Sequence, residues 1–291
     1  MTTLIRQRIS FRGGDADEHR IEAYPSSQSL EGLVWATSVA THFAVSGKVR
    51  QKGNLSSSAK IYLSPPRRGS VEFDLVILVQ NNQFISGVLA GYAANVLTPF
   101  VNGVIKYAFG NAMGIATGAP AKVKRAFGKL DEEDLSKLVN RIEPPLTRAH
   151  KAIGDSVDGI FISHKRRELA QLNHDTKSYL EARLRAEHTT IETNATSFNV
   201  LTGNGRLFDP IEHETVPFTL RPNARLGSGP TLLQSMEQYA MGNTGTIKIT
   251  AQREETSDGR LKRLLVSAAE KIPQSDWIDG ADPMRTKRLG P

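Results

Sequence analysis
Residues 71–79 read Val71-Glu72-Phe73-Asp74-Leu75-Val76-Ile77-Leu78-Val79. Val71, Phe73, Leu75, Ile77 and Val79 recur at every second position, with Glu72 and Asp74 on the other side. A period of two sends alternate side chains to opposite faces, the mark of a strand. Upstream, Lys60 to Leu63 reads as its partner, and Pro65-Pro66-Arg67-Arg68-Gly69 reads as the turn between them. Further back, Leu30, Leu33, Val34, Ala40 and Phe43 recur at helical spacing. Ser27 or Ser29 offers an N-cap, Glu31 suits the first turn, and Gly47 supplies the stop. Ile5, Ile9 and Phe11 lie in an extended run, Gly13-Gly14-Asp15 marks a turn, and His19 to Tyr24 is expected to return as a second strand. The order is ββαββ, an antiparallel sheet with its helix on one face, over residues 1–80.

Beyond that sheet the composition changes. Asn81 to Ala121 carries one charged residue, Lys106. Apolar pairs recur every four residues from Phe84-Ile85 through Val88-Leu89, Val96-Leu97 and Phe100-Val101 to Val104-Ile105 and Ala108-Phe109. This is an amphipathic helical pattern, which Pro99 should kink or split. Gly87 and Gly91 form a small-xxx-small pair that would let another helix approach closely. Three readings follow: a buried helical hairpin packed on the sheet, a self-association surface, or a membrane-entering segment over residues 84–118. Gly87, Gly91, Val96, Phe100 and Val104 are the candidate oligomer or membrane interface. Asn95, Asn102, Asn111 and Pro99 weigh against a span.

Asp131 to Asp134 places acids at a helix start, where they complement the helix dipole. Leu135, Leu138, Val139 and Ile142 continue that helix, and Pro144-Pro145 is expected to end it. Leu146, Ala149, Ile153, Val157, Ile160 and Phe161 fit a second amphipathic helix running to about Ser163. His164 to Glu168 reads as a linker or helix end, and Asp175 to Arg185 as a short helix. The helical region is expected to span 81–188.

From Thr190 onward short strands dominate. Thr190 to Leu201, Val216 to Leu220, Thr246 to Gln252 and Arg260 to Val266 are strand-like, with an Asn-Gly turn at Thr202 to Arg206. Thr231 to Met241 reads as a helix ended by Gly242-Asn243. A small antiparallel β-barrel over 189–273 fits, followed by a flexible tail over 274–291. The fold class is therefore α+β: an N-terminal ββαββ sheet unit, central amphipathic helices and a C-terminal small antiparallel β-barrel.

Three stretches carry a resemblance: Gly69-Ser70-Val71-Glu72-Phe73-Asp74-Leu75, the helical stretch after it, and Phe198-Asn199-Val200-Leu201-Thr202-Gly203-Asn204-Gly205-Arg206. The layout resembles a family of uncharacterised bacterial proteins pairing an N-terminal domain of unknown function with a five-stranded β-barrel. The resemblance covers most of the chain. It implies a bacterial cytoplasmic protein, near mobile-element or phage-defence genes, and brings no catalytic residues.

The chain has 291 residues, no cysteine, 39% hydrophobic residues, 23% charged residues and a formal charge of +7. Lacking cysteine, it has no disulfide framework, no cysteine-ligated metal site and no thiol nucleophile. No stretch reads as a signal peptide. The positive excess is spread thinly. Small clusters occur at Lys122, Lys124 and Arg125, at Lys165, Arg166 and Arg167, and at Arg260, Lys262 and Arg263. Each reads first as a solvated surface and second as a phosphate contact. Among seven histidines none forms a His-Glu-x-x-His pair, and His174-Asp175 and Glu212-His213-Glu214 are the nearest to metal-binding runs. Glu72 and Asp74 could form a carboxylate pair, but an outward position or pairing with Arg67 or Arg68 is the simpler reading. Asp155 and Asp158 suit a surface face. No nucleophile, base and orienter come together in the sequence, so neither catalysis, a cofactor nor a metal is expected.

The expected function is a non-catalytic binding or assembly protein of bacterial or phage origin that forms homo-oligomers through the low-charge central helices, with a protein partner as an option. One rival is a membrane-permeabilising effector that inserts residues 84–118. The other is nucleic-acid binding by the barrel, with Arg206, Lys248, Arg253, Arg260, Lys262 and Arg263 as phosphate contacts.

Overall fold
The computed structural model describes residues 2–50, 58–64, 71–210 and 213–272. The chain divides into two compact units, Met1–Glu181 and Ala182–Pro291. The class is α+β.

The first unit runs β1 (Thr2–Arg12), α1 (Ala23–Ser46), β2 (Ala59–Leu63), β3 (Glu72–Gln80), α2 (Gln83–Val88), α3 (Leu97–Ala112), α4 (Lys124–Phe127), α5 (Glu132–Ala149), β4 (Gly159–His164), β5 (Arg167–Leu172) and α6 (His174–Leu180). Its sheet has the order β2-β3-β1-β4-β5 with every neighbour antiparallel. The alternation over 71–79 sends Leu75, Ile77 and Val79 to one face, where they meet Ile5, Ile9, Ile160, Ile162 and Leu172. α1, α3 and α5 cover that face and close a single core. A buried amide pair ties α3 to the central strand: Gln7 Nε2 donates to Asn102 Oδ1 at 2.8 Å.

Several local expectations change here. His19 to Tyr24 is not a returning strand. Gly14–Glu18 forms a 3₁₀ turn, and α1 begins at Ala23, ahead of Ser27 and Ser29. It ends at Gly47, whose φ of 68° is the left-handed conformation glycine adopts at no steric cost. Pro144 and Pro145 lie inside α5 instead of ending it. The apolar face on both sides of the prolines, Leu138, Ile142, Leu146 and Ala149, is fully buried, and that packing outweighs two missing N–H donors. The expected second helix over 146–163 is also absent. Residues 159–164 form β4, because pairing of Ser10 with Phe161 and Arg12 with Gly159 extends the sheet. His164 to Glu168 then holds the turn of the β4–β5 hairpin, Lys165-Arg166, between the paired His164 and Arg167. Pro99 falls in the first turn of α3, where its missing N–H is unpaired in any helix. Two short helices therefore replace one long one.

The second unit runs β6 (Arg183–Thr193), β7 (Ala195–Phe198), β8 (Asn204–Asp209), β9 (Glu214–Leu220), α7 (Arg225–Ala240), β10 (Ile247–Glu255) and β11 (Leu261–Lys271). These strands form one sheet in the order β6-β10-β11-β9-β8-β7. The expected antiparallel barrel is corrected on two counts. β11 lies parallel to β9, and no closed barrel forms among the described residues. The chain breaks at Asn194, so β6 and β7 occupy opposite edges of an open sheet. The Asn204-Gly205 pair opens β8, and the turn lies just before it with Gly203 at φ 77°. Gly205 is required there, since a Cβ would collide with the carbonyl of Ser197 and the Phe218 ring. The expected turn at 65–69 and the tail over 274–291 lie outside the described residues.

Candidate functional site
The surface feature that stands out in the second unit is the outer side of α7. Its inner side is fixed by sequence: Leu232 is buried, Ser235 Oγ accepts from Ala195 N at 3.0 Å, and Ser228 Oγ accepts from Ala269 N at 2.9 Å. Residues at helical spacing on the other side are therefore turned outward. They are Leu226, Pro230, Leu233, Glu237 and, one residue past the helix end, Met241. Leu226 is 95% exposed and Met241 67% exposed. The Arg225 guanidinium donates to Thr202 O at 2.6 Å and to Leu201 O at 3.2 Å. That clamp holds the Val200–Gly203 turn against the start of α7, and Leu201 in that turn is 81% exposed. An apolar ridge with one charge, Glu237, results. Sequence periodicity missed it, because Gly227, Gly229 and Pro230 disguise the first turns of α7, and Leu232 and Leu233 read alike.

The predicted interface residues lie elsewhere. Phe100 and Val104 are fully buried in the first unit's own core, and Val96 packs partly against it. Gly87 closes α2 and Gly91 sits in a turn at φ 85°, each with open space where a side chain would stand. Among the described residues no helix of this chain packs on the small-xxx-small pair. The structure uses the low-charge stretch as core. Among the described residues no helix is long and apolar enough to cross a membrane.

The six cations proposed as phosphate contacts are brought together only in part. Glu254 takes Lys262 at 3.4 Å and Arg263 at 2.9 Å, and the Lys262 side chain is buried. Arg253 reaches Glu255 at 2.5 Å, with Arg185 on the other oxygen at 3.1 Å. The Arg253 hydrogen bond above all, then that of Arg185, holds the Glu255 carboxyl below its ordinary range. Arg206 is occupied by Thr215, donating to its Oγ1 at 3.2 Å and its carbonyl at 2.6 Å. Arg260 and Lys248 are exposed. Three of the six cations are neutralised within the unit.

In the first unit, Glu72 and Asp74 share the sheet face away from the helices, and Arg8 reaches both, at 3.4 and 3.8 Å. Arg67 and Arg68 lie outside the described residues, as does Glu212 of the Glu212-His213-Glu214 run. Among the described residues no group of three or more metal-ligating side chains is gathered. His150 is buried, with Nδ1 2.7 Å from Leu146 O and Nε2 2.8 Å from Thr176 Oγ1.

No curated protein and no solved structure matches the chain. Residues 187–270 match a family of unknown function (DUF7947). Residues 7–181, nearly the whole first unit and more than half of the sequence, match a domain of unknown function (DUF7946). The chain belongs to the DUF7946 family.

Proposed function
We propose that this is a non-catalytic assembly protein that associates with copies of itself through the outer side of α7. The observation that carries the reading is the ridge of exposed Leu226, Leu233 and Met241 along one side of α7. Contiguous exposed apolar surface of this kind marks an interaction site in folded proteins. Two copies of α7 crossing antiparallel would bury the ridge against itself, the self-complementary arrangement of a two-fold dimer. The bacterial or phage setting and a cytoplasmic site rest on the family resemblance described above. The non-catalytic reading is supported by the way the chemically capable groups are used. Arg8 holds Glu72 and Asp74, and His150 spends both ring nitrogens inside the first unit.

Size-exclusion chromatography with light scattering tests it. The wild type should elute at a multiple of the chain mass, and Leu226→Asp with Leu233→Asp should return it to the monomer. Leu226 makes so little contact that its replacement leaves the core intact, which an unchanged circular-dichroism spectrum would verify. A wild-type monomer at all concentrations would sink the reading, as would an oligomer indifferent to the double variant.

A further inference from the structure
The helix-free face of the first unit's sheet carries the exposed side chains of Arg6, Arg12, Lys60 and Tyr62, and its chemistry is uneven. Register places the outward residues in transverse rows. One row runs Tyr62, Val76, Arg6, and the next Asp74, Arg8, Ser163. Beyond these, Ser10 stands beside Phe161, and Arg12 ends the strand with its guanidinium 4.5 Å above the Phe161 ring. Arg8 is committed to Glu72 and Asp74. Arg6, Arg12, Lys60 and Lys165 have no carboxylate within ion-pair distance among the described residues. Side chains two apart on β1 stand roughly 6.8 Å apart, so Arg6 and Arg12 mark a track of about 20 Å.

At the Arg6 end of the track a concavity of about 330 Å³ opens between Leu4, Arg6, Arg8, Asp74, His164 and Lys165. His164 is fixed there by its Nδ1, 2.7 Å from Arg6 O. Lys165 occupies the first turn position of the β4–β5 hairpin at φ 56°, a left-handed conformation that favours glycine. A lysine there costs on the order of 1 kcal/mol of backbone strain and sets its ammonium on the rim.

Unpaired cations attract phosphates, and flat exposed rings accept bases by stacking. Tyr62, 51% exposed, lies on the Arg6 row, and the Arg12 guanidinium over Phe161 is a second stacking plane at the far end. A duplex hides its base faces, whereas a single strand presents them. We infer that this open sheet face binds single-stranded nucleic acid, with phosphate at Arg6 and Lys165 and bases on Tyr62 and the Arg12–Phe161 pair. The track is long enough for about four nucleotides, the small end of the range for open-sheet and barrel binders. The inference is independent of the α7 ridge, which belongs to the other unit.

Fluorescence anisotropy with a labelled single-stranded oligonucleotide, its duplex and heparin tests it on the full chain. The single strand should bind most tightly, and binding should weaken as salt rises. Arg6→Gln with Lys165→Gly should flatten the log–log salt dependence by about 1.4, or roughly 0.7 per phosphate contact removed. Lys165→Gly relieves the left-handed residue, so lost binding there cannot come from a damaged fold. Tyr62→Ala should weaken the single strand about tenfold or more and leave heparin unchanged. Heparin or duplex binding as tightly as the single strand would overturn the inference. So would a salt dependence untouched by the double variant, or no binding at low salt.

Discussion

His150 lies at the end of α5 with only 1% of its surface exposed. Its Nδ1–H donates to Leu146 O, which leaves Nε2 to accept from the Thr176 hydroxyl. Burial above all, with a smaller push from Lys177, lowers its pKa to about 4 against the raising effect of the Leu146 bond. An unfolded chain takes up that proton near 6.5. Between about 6.5 and 4 the unfolded state therefore binds more protons, and stability falls as the pH drops through that window. The loss should be on the order of 3 kcal/mol. His42, lowered by burial and then by Arg50, acts in the same direction. Denaturant midpoints taken from neutral pH down to about pH 4 should show the decline, and His150→Gln should make it shallower. Equal midpoints at both ends would contradict the assignment. Sequence reading saw His150 as one histidine among seven. The bonds that define it come from residues 4 and 26 positions away, and only the nearer is a helical neighbour.

α1 and α5 are held together at Gly32. A Cβ there would stand 2.5 Å from Pro145 O and 2.6 Å from Ala149 N, so the two backbones touch. Alanine would improve helix propensity by up to about 1 kcal/mol, but the collision dominates. Gly32→Ala should cost about 1–3 kcal/mol, read as a lower thermal midpoint of the first unit. A gain in stability would mean that the helices part easily. The same contact explains why Pro144-Pro145 misleads as a helix stop: the packing across it is long-range. β3 was legible because apolar residues hold every second position from Val71 to Val79, with Glu72 and Asp74 between the first three. β4 was not, since Ile153, Val157, Ile160 and Phe161 satisfy helical spacing as well as Ile160 and Ile162 satisfy a strand. The pairing with β1 decides between them. The strands of the second unit were likewise readable one by one. Their order was not, because nothing local marks β11 as the parallel neighbour of β9.

Across the whole molecule the apolar residues fall into two separate cores, one from Ile5 to Leu180 and the other from Ile191 to Ala269. Among the described residues no side chain belongs to both clusters. A chain ended at Glu181 should therefore keep a cooperative thermal transition and the near-ultraviolet spectrum of its own aromatic residues. A fragment that melts without cooperativity would show that the first unit needs the second. The compact units divide at Glu181 and Ala182, and residues 183–188, exposed along β6, lack the apolar alternation that announces a strand in the sequence. The ridge on α7 and the open face beside β1 were equally hidden. Each is defined by what the opposite side of its element buries.

The central place of β1 also bears on how the chain is made. Its residues leave the ribosome ahead of both its partners, and β3 can reach them once Gln80 has emerged. The other flank of β1 waits for β4, which ends at His164. At translation speeds of 5–20 residues per second that interval is roughly 4–17 s. Throughout it, a nascent chain with α1 and half a sheet in place presents one unpaired strand flank to its neighbours on the polysome. Protection by chaperones that bind nascent chains, or a pause in elongation before the β4 codons, would matter most within that interval.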